Sequence, residues 1–209
     1  MKKSGIALAL SAGLALASHS NAALIEVVGD DNTSDFTIQP NNDYPFLDGA
    51  SGQIGAGVTA TSDDPIELTF EYLFKEADYN NGFLVNGTEI FNTATASVGD
   101  TFTMTWYGGA TLLDFQFRPD GLSNVTNGGN DGSAPANIFT LTDPETGDII
   151  LALDDSGFNN DDDYDDLVVR VSATAITQPP TAEVGEPATL ALLGMGIVGL
   201  AMTRTRRKA

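Results

Sequence analysis

The carboxylates of Asp154–Asp166, in the run DDSGFNNDDDYDD, are the side chains of this sequence best suited to chemistry. The run holds seven aspartates and no positively charged residue, and the apolar stretch Leu167–Val171 that follows must dock in a core. Two carboxylates about 4 Å apart repel each other by roughly 1 kcal/mol even in water. A divalent cation would offset this repulsion, and calcium is favoured because it accepts roughly six to eight oxygen ligands in loose geometry.

We therefore predict a calcium site with ligands drawn from Asp154, Asn159, Asp161, Asp163, Asp165 and Asp166. Glu76 and Asp78, on another predicted turn, either approach this site or are ordinary exposed carboxylates. The spacing is not that of an EF-hand, because counting from Asn159 places Tyr164 where that loop needs glycine. The alternative is a solvated acidic loop, since charge runs commonly face water and keep secreted proteins soluble.

Several catalytic designs are excluded by composition. Cysteine is absent and His19 is the only histidine, which excludes disulfides, thiolate nucleophiles and zinc–sulfur sites. His19 lies in a predicted signal peptide, so a chain without that segment has no imidazole for a catalytic triad or a metal site. Carboxylate pairs and metal-bound water remain as designs, but no pair stands out among 29 acidic residues. We predict that the protein is not an enzyme and has no catalytic residues.

The charge of the chain is strongly negative. The net charge is −20, and the basic residues between positions 23 and 176 are Lys75, Arg118 and Arg170. Such a surface repels phosphate backbones and anionic membranes, so we predict no nucleic-acid partner. Metal ions and cationic partners remain compatible with this charge.

Residues 1–22 have the features of a secretory signal peptide. Lys2 and Lys3 precede Ile6–Ala17, an apolar stretch of about twelve residues, which is short for a membrane span. Small residues at Ser20 and Ala22 predict cleavage after Ala22. We therefore expect export across the inner membrane.

The C-terminal part of the chain has three sections. Residues 177–187 (TQPPTAEVGEP) predict a Pro-rich linker, and residues 188–202 are about fifteen mostly apolar residues. That length is near the short limit for a single transmembrane helix. Residues 203–209 are basic, and the positive-inside rule predicts that they stay in the cytoplasm while the acidic domain lies outside.

Residues 23–176 predict one all-β domain. Short apolar runs are separated by Gly, Asn, Asp, Ser and Thr, and no long stretch has a helical period. Ile66–Phe74 alternates apolar and polar residues and is the clearest strand. The Asn-Gly pair at 86–87 predicts a hairpin, and the Gly-Gly pair at 108–109 predicts another between Thr101–Tyr107 and the next strand. Eight or more such strands predict an antiparallel β-sandwich that is jelly-roll-like.

The tail formed by residues 184–209 resembles the PEP-CTERM sorting signal of Gram-negative bacteria. The resemblance is carried by Val184–Gly194, the apolar stretch that continues from it, the basic cluster Arg204–Lys208, and the motif Glu186, Pro187 and Ala188. Gly185 stands where the family usually has its first proline. The resemblance implies that the tail is a transient inner-membrane anchor, which an exosortase-type membrane protease recognises and removes.

Two segments of the body add to this resemblance. Thr69–Phe83 is similar to a strand in such exported proteins that ends in a Glu-Ala-x-Tyr-x-Asn-x-Phe turn. Asp161–Val171 (DDDYDDLVVRV) is similar to the aspartate-rich signature that closes their β-sandwich. The resemblance implies a protein of the cell surface or the extracellular matrix that is associated with exopolysaccharide and biofilm or floc formation.

Two functions therefore stay open. The first is a non-enzymatic, calcium-stabilised surface or matrix protein. The second is a carbohydrate-binding module for the producer's own polysaccharide, because β-sandwiches often carry such sites. The alternation around Trp106 places its ring in the core, which leaves Tyr44, Tyr79 and Tyr107 as candidate sugar platforms.

Overall fold

The residues that the structure describes are all-β, as predicted for residues 23–176. The computed structural model describes residues 23–29, 33–39, 43–76, 79–129, 136–155 and 163–176, and these residues form thirteen strands and no helix. The strands are β1 (Ile25–Val28), β2 (Ser34–Thr37), β3 (Ser51–Ile54), β4 (Gly57–Ala60), β5 (Ile66–Phe74), β6 (Gly82–Val85), β7 (Thr88–Asn92), β8 (Thr101–Trp106), β9 (Phe115–Arg118), β10 (Val125–Thr126), β11 (Asn137–Thr142), β12 (Ile149–Asp154) and β13 (Leu167–Ala175).

Every strand pair in these residues is antiparallel. A seven-stranded sheet has the order β2-β3-β11-β12-β13-β5-β8, and a four-stranded sheet has the order β10-β9-β6-β7. Strands β1 and β4 form a separate two-stranded sheet. The strand β13 therefore lies in the middle of the large sheet, between β12 and β5.

The two larger sheets face each other across the main core, as in a β-sandwich. Apolar residues of β5 alternate inward, and Ile66, Leu68 and Phe70 are each 1% exposed. Phe83 of the four-stranded sheet is fully buried and lies 5.6 Å from Phe70, measured between ring centroids. Side chains on alternate positions of a strand share one face, which is why the period of two in the sequence predicts this core.

The opposite face of the large sheet carries a second, smaller core. Residues of the segments 38–39 and 43–50 contribute to it, with Ile38 and Leu47 fully buried. The Tyr164 ring joins this core, 5.6 Å from the ring of Phe139 and 5.4 Å from that of Phe36. Tyr164 thereby anchors the end of the acidic run against the sheet.

The two hairpin predictions have different outcomes. The hairpin at 86–87 is confirmed, since β6 pairs with β7 and both Asn86 (φ 50°) and Gly87 (φ 72°) are left-handed. The hairpin at 108–109 is wrong. Strand β8 pairs with β5 at the edge of the large sheet, whereas β9 pairs with β6 in the small one. The glycines mark a crossing between sheets, which a local turn signal does not distinguish from a hairpin.

Several predictions concern residues outside the described ranges. They are the signal peptide with its cleavage at Ala22, the linker 177–187, the apolar segment 188–202, the basic end 203–209, and the sorting motif Glu186, Pro187 and Ala188. Within the ranges that the structure does describe, no helix is long and apolar enough to cross a membrane.

We predict that Phe83→Ala strongly destabilises the sandwich. The Phe83 ring contacts those of Phe70, Phe91, Phe115 and Phe117 at centroid distances of 4.9–6.3 Å. Its removal loses burial and leaves a cavity, which costs about 3–5 kcal/mol in free energy of unfolding. Urea denaturation measures the loss, with Val98→Ala as control because Val98 is 71% exposed. A loss below about 1 kcal/mol for Phe83→Ala would contradict this core.

Candidate metal centre

The acidic run connects two neighbouring strands of the large sheet. Strand β12 ends at Asp154, strand β13 begins at Leu167, and Leu153 pairs with Leu167. The Asp155 N–H donates to Asp166 Oδ2 at 2.7 Å. The two ends of the run are thus held together by the sheet, which concentrates their carboxylates at one end of it.

The end of β5 brings a further carboxylate to this place. Phe74, the last residue of β5, pairs with Val168 near the start of β13. The Glu76 N–H then donates to the Asp165 carbonyl oxygen at 3.0 Å. Carboxylate oxygens of Glu76, Asp163 and Asp165 lie within 4.8 Å of one another, which is close enough for one cation to contact all three residues.

Asp165 is the most confined member of this cluster. Its side chain is 0% exposed, and its Oδ2 accepts the Asp43 N–H at 3.0 Å. Its Oδ1 is also buried, and no residue in the described part of the chain donates a hydrogen bond to it. A proton shared with the Glu76 carboxyl group, an ordered water or a cation would satisfy this oxygen.

The backbone around Tyr164 explains how an aspartate becomes buried here. Tyr164 has φ 60°, a left-handed conformation that is unusual for a bulky side chain. Its ring is 1% exposed in the smaller core. Docking of this ring therefore fixes the neighbouring Asp163 and Asp165 beside the sheet rather than in solvent.

The carboxylates at this end of the sheet are difficult to ionise in the absence of a cation. Burial first, then the charge of Asp163 and the Glu76 carboxyl group, raises the pKa of Asp165 from 3.8 to about 7. Burial is also the largest cause at Asp166, where the charges of Asp155 and Asp154 add to it and the pKa rises to about 8, although the Asp155 N–H acts in the opposite direction. A bound cation would favour the ionised forms of both groups.

Asp155 belongs to a hydrogen-bond network on the other side of the strand ends. The fully buried Asn81 donates its Nδ2 to Asp155 Oδ2, and its Oδ1 accepts the Asp120 N–H at 3.0 Å. The Asn81 N–H donates to Thr93 Oγ1 at 2.9 Å. These bonds tie the end of β12 to the loop before β6, so Asp155 has a structural role.

The structure thus places the predicted ligands in different positions. Asp163 and Asp165 lie together with Glu76, which sequence reasoning left open between a ligand and an exposed carboxylate. Asp154 and Asp166 lie at the adjoining strand ends. Asn159, Asp161 and Asp78 are outside the described residues. The pairing of β5 with β13 was the missing signal for Glu76, because that pairing joins segments about ninety residues apart.

This cluster has the chemistry of a site for a hard cation. The side-chain atoms that it offers to a cation are carboxylate oxygens, which are the ligands that calcium and magnesium prefer. No protein-family model matches the chain, and a comparison with curated proteins finds no match. The geometry of the site is therefore the main basis for a functional argument.

In metal-free buffer, we predict that the melting temperature falls as the pH rises from about 5 to about 8. The raised pKa values of Asp165 and Asp166 mean that the folded state holds protons that the unfolded state has already released. These protons contribute their full free energy of stabilisation when the pH is below the pKa of each group in the unfolded state. That contribution decreases as the pH rises and is lost once the pH passes the pKa in the folded state. Circular dichroism melts at several pH values measure the profile.

The variant Asp166→Asn provides the specific test of this pH dependence, since it removes one of the two titrating groups. Its profile should be flatter than that of the wild type, whereas Asp64→Asn, at an exposed position, should keep the wild-type slope. A wild-type melting temperature that stays level or rises over this pH range would contradict the prediction. Equal slopes for Asp166→Asn and the wild type would contradict it as well.

Proposed function

We propose that this chain is an exported, non-enzymatic surface or extracellular-matrix protein whose jelly-roll-like β-sandwich is stabilised by calcium. The observation that carries the proposal is the buried Asp165 Oδ1, which accepts no hydrogen bond from the described residues. Glu76 and Asp163 place two more carboxylates within 4.8 Å of it. A calcium ion at this place would satisfy the orphaned oxygen and offset the repulsion of three negative charges.

The position of the site indicates a structural role for the ion. Glu76 follows β5, Asp163 and Asp165 precede β13, and the Asp43 N–H joins the segment 43–50 to Asp165. One ion would therefore connect two adjacent strands of the large sheet with the segment 43–50 of its smaller core. Extracellular calcium is millimolar, so even a weak site of this kind would be filled after export.

Calcium is the better candidate than magnesium. Magnesium demands near-octahedral geometry and releases its water reluctantly, whereas calcium tolerates an irregular set of oxygens. Here one ligand is exposed (Glu76), one is partly buried (Asp163) and one is fully buried (Asp165). An irregular set of oxygens of this kind suits the flexible coordination of calcium.

Export and sorting are proposed from the sequence. The signal-peptide features of residues 1–22 and the resemblance of residues 184–209 to a PEP-CTERM tail support a transient inner-membrane anchor, an exosortase-type protease as partner, and release to the cell surface. The same resemblance supports an association with exopolysaccharide and biofilm. The lack of cysteine, and of any histidine beyond His19, supports a non-enzymatic role.

We predict that EGTA lowers the melting temperature of the full-length chain and that added calcium restores it. Binding to the folded state alone stabilises it by about 2.7 kcal/mol at a hundredfold excess over Kd, or roughly 5–10 °C for a domain of this size. The variant Asp165→Asn should lose most of this response. In EGTA it should melt at or above the wild-type temperature, because its amide can donate to Glu76 in place of an ion.

The control for this experiment is Asp64→Asn, which removes the same charge from an exposed position. It should keep the full calcium response. A wild-type melting temperature that is the same in EGTA and in millimolar calcium would contradict the proposal. So would an Asp165→Asn variant that responds to calcium as strongly as the wild type.

The exposed tyrosines favour carbohydrate binding as a second candidate function. Tyr79 is 61% exposed and Tyr107 is 78% exposed, while Tyr44 stacks on Phe74 at 5.0 Å and is less suitable. Exposed aromatic rings offer an apolar face and a polar tip to a ligand. Affinity electrophoresis in exopolysaccharide from the producing strain should show retardation that Tyr79→Ala or Tyr107→Ala reduces and that Val98→Ala leaves unchanged. Equal migration with and without polysaccharide would rule this function out.

A further inference from the structure

Asn137 is a buried polar side chain of the large sheet. It is the first residue of β11 and is 1% exposed. No described residue donates to its Oδ1 or accepts from its Nδ2. A buried polar group left unpaired costs about 1–3 kcal/mol, so a side chain with two unpaired atoms indicates a missing partner.

The register of the sheet shows what Asn137 faces. Asn137 pairs with Asp154 across β11 and β12, and direct partners in an antiparallel pair have their side chains on the same face. Leu153 pairs with Leu167. Asp154, which follows Leu153, therefore lies beside Asp166, which precedes Leu167. An amide and two carboxylates, of Asn137, Asp154 and Asp166, therefore form a row across three strands.

This row is acidic, and two of its three members, Asn137 and Asp154, are buried. Asp154 is 0% exposed, and its charge is one of the influences that raise the pKa of Asp166. Among the described residues, the ion pairs of the two arginines lie elsewhere. Arg118 pairs with Glu89, and Arg170 pairs with Glu71 and Asp148. Two carboxylates held close together in a largely buried place are an environment that a cation stabilises.

We propose that Asn137 Oδ1 and the carboxylates of Asp154 and Asp166 form a second calcium site, separate from the site at Glu76, Asp163 and Asp165. This inference deepens the proposed function and rests on it. Asp163 lies near enough to both places to influence Asp165 and Asp166 alike, which makes the two sites neighbours on one acidic segment.

The amide at position 137 suits such a site better than a third carboxylate would. Two carboxylates match the charge of one calcium ion, whereas three would leave a net negative charge in a buried place. The amide also has two functions, because Oδ1 can bind the ion while Nδ2 donates to a carboxylate oxygen. A single ion would therefore satisfy both orphaned atoms of Asn137.

The test is the number of calcium ions bound to the full-length chain, measured by equilibrium dialysis with radioactive calcium. Potassium chloride at about 0.15 M suppresses loose binding to the acidic surface. The wild type should bind two ions, and Asn137→Leu and Asp165→Asn should each bind one. Asn137→Asp keeps an oxygen at the position and should still bind two.

The control is Asn127→Leu, since Asn127 is an amide whose bonds are satisfied. Its Oδ1 accepts the Val58 N–H at 2.7 Å, and its Nδ2 donates to the carbonyls of Val58 and Leu113 at 2.8 and 2.7 Å. Asn127→Leu should melt at a lower temperature with or without calcium and should still bind two ions. In EGTA, Asn137→Leu should melt no lower than the wild type, because it removes an unpaired polar group.

The outcomes separate this proposal from the one on which it rests. Two ions bound to Asn137→Leu would overturn the second site. The second site would also be overturned if the wild type bound one ion that is lost in Asp165→Asn and kept in Asn137→Leu. That result would support the first site and would assign Asn137 to a buried water only. No bound calcium in the wild type would overturn both proposals.

Discussion

The burial of Asp165 is the constraint on which the acidic end of this molecule depends. Its side chain is fully buried beside two other carboxylates, although ionised carboxylates strongly favour water. The fold holds it there through the Asp43 and Glu76 N–H groups, which bond its Oδ2 and its carbonyl oxygen. Such an arrangement is stable when a proton or a cation offsets the charge, and the excess of acidic residues nearby favours a cation.

The two cores explain why this charge is held in place. The main core fixes β5, β12 and β13 as neighbours, so their ends converge at one end of the large sheet. Tyr164 packs in the smaller core, and this packing holds the adjacent carboxylates close to one another. Apolar packing therefore supplies the free energy that brings like charges together. Binding of an ion to the folded state would reduce their repulsion and raise the free energy of unfolding.

Sequence reasoning predicted the strands with clear alternation, such as Ile66–Phe74, and the hairpin at 86–87. It also pointed to the acidic run as the candidate site, because charge density is visible locally. It could not assign Glu76 or Asn137, since their neighbours are set by the pairing of β5 with β13 and of β11 with β12. Strand pairing depends on the whole fold, whereas turn and charge signals are local, which is also why the turn at 108–109 was misread.

The most direct test of the calcium-stabilised fold is a crystal structure grown in millimolar calcium, with anomalous diffraction to locate the ions. We predict an anomalous peak about 2.3–2.6 Å from Asp165 Oδ1, with oxygens of Glu76 and Asp163 in the same shell. A well-ordered structure in which the Glu76 and Asp165 carboxyl groups share a proton, with no peak between them at saturating calcium, would contradict it.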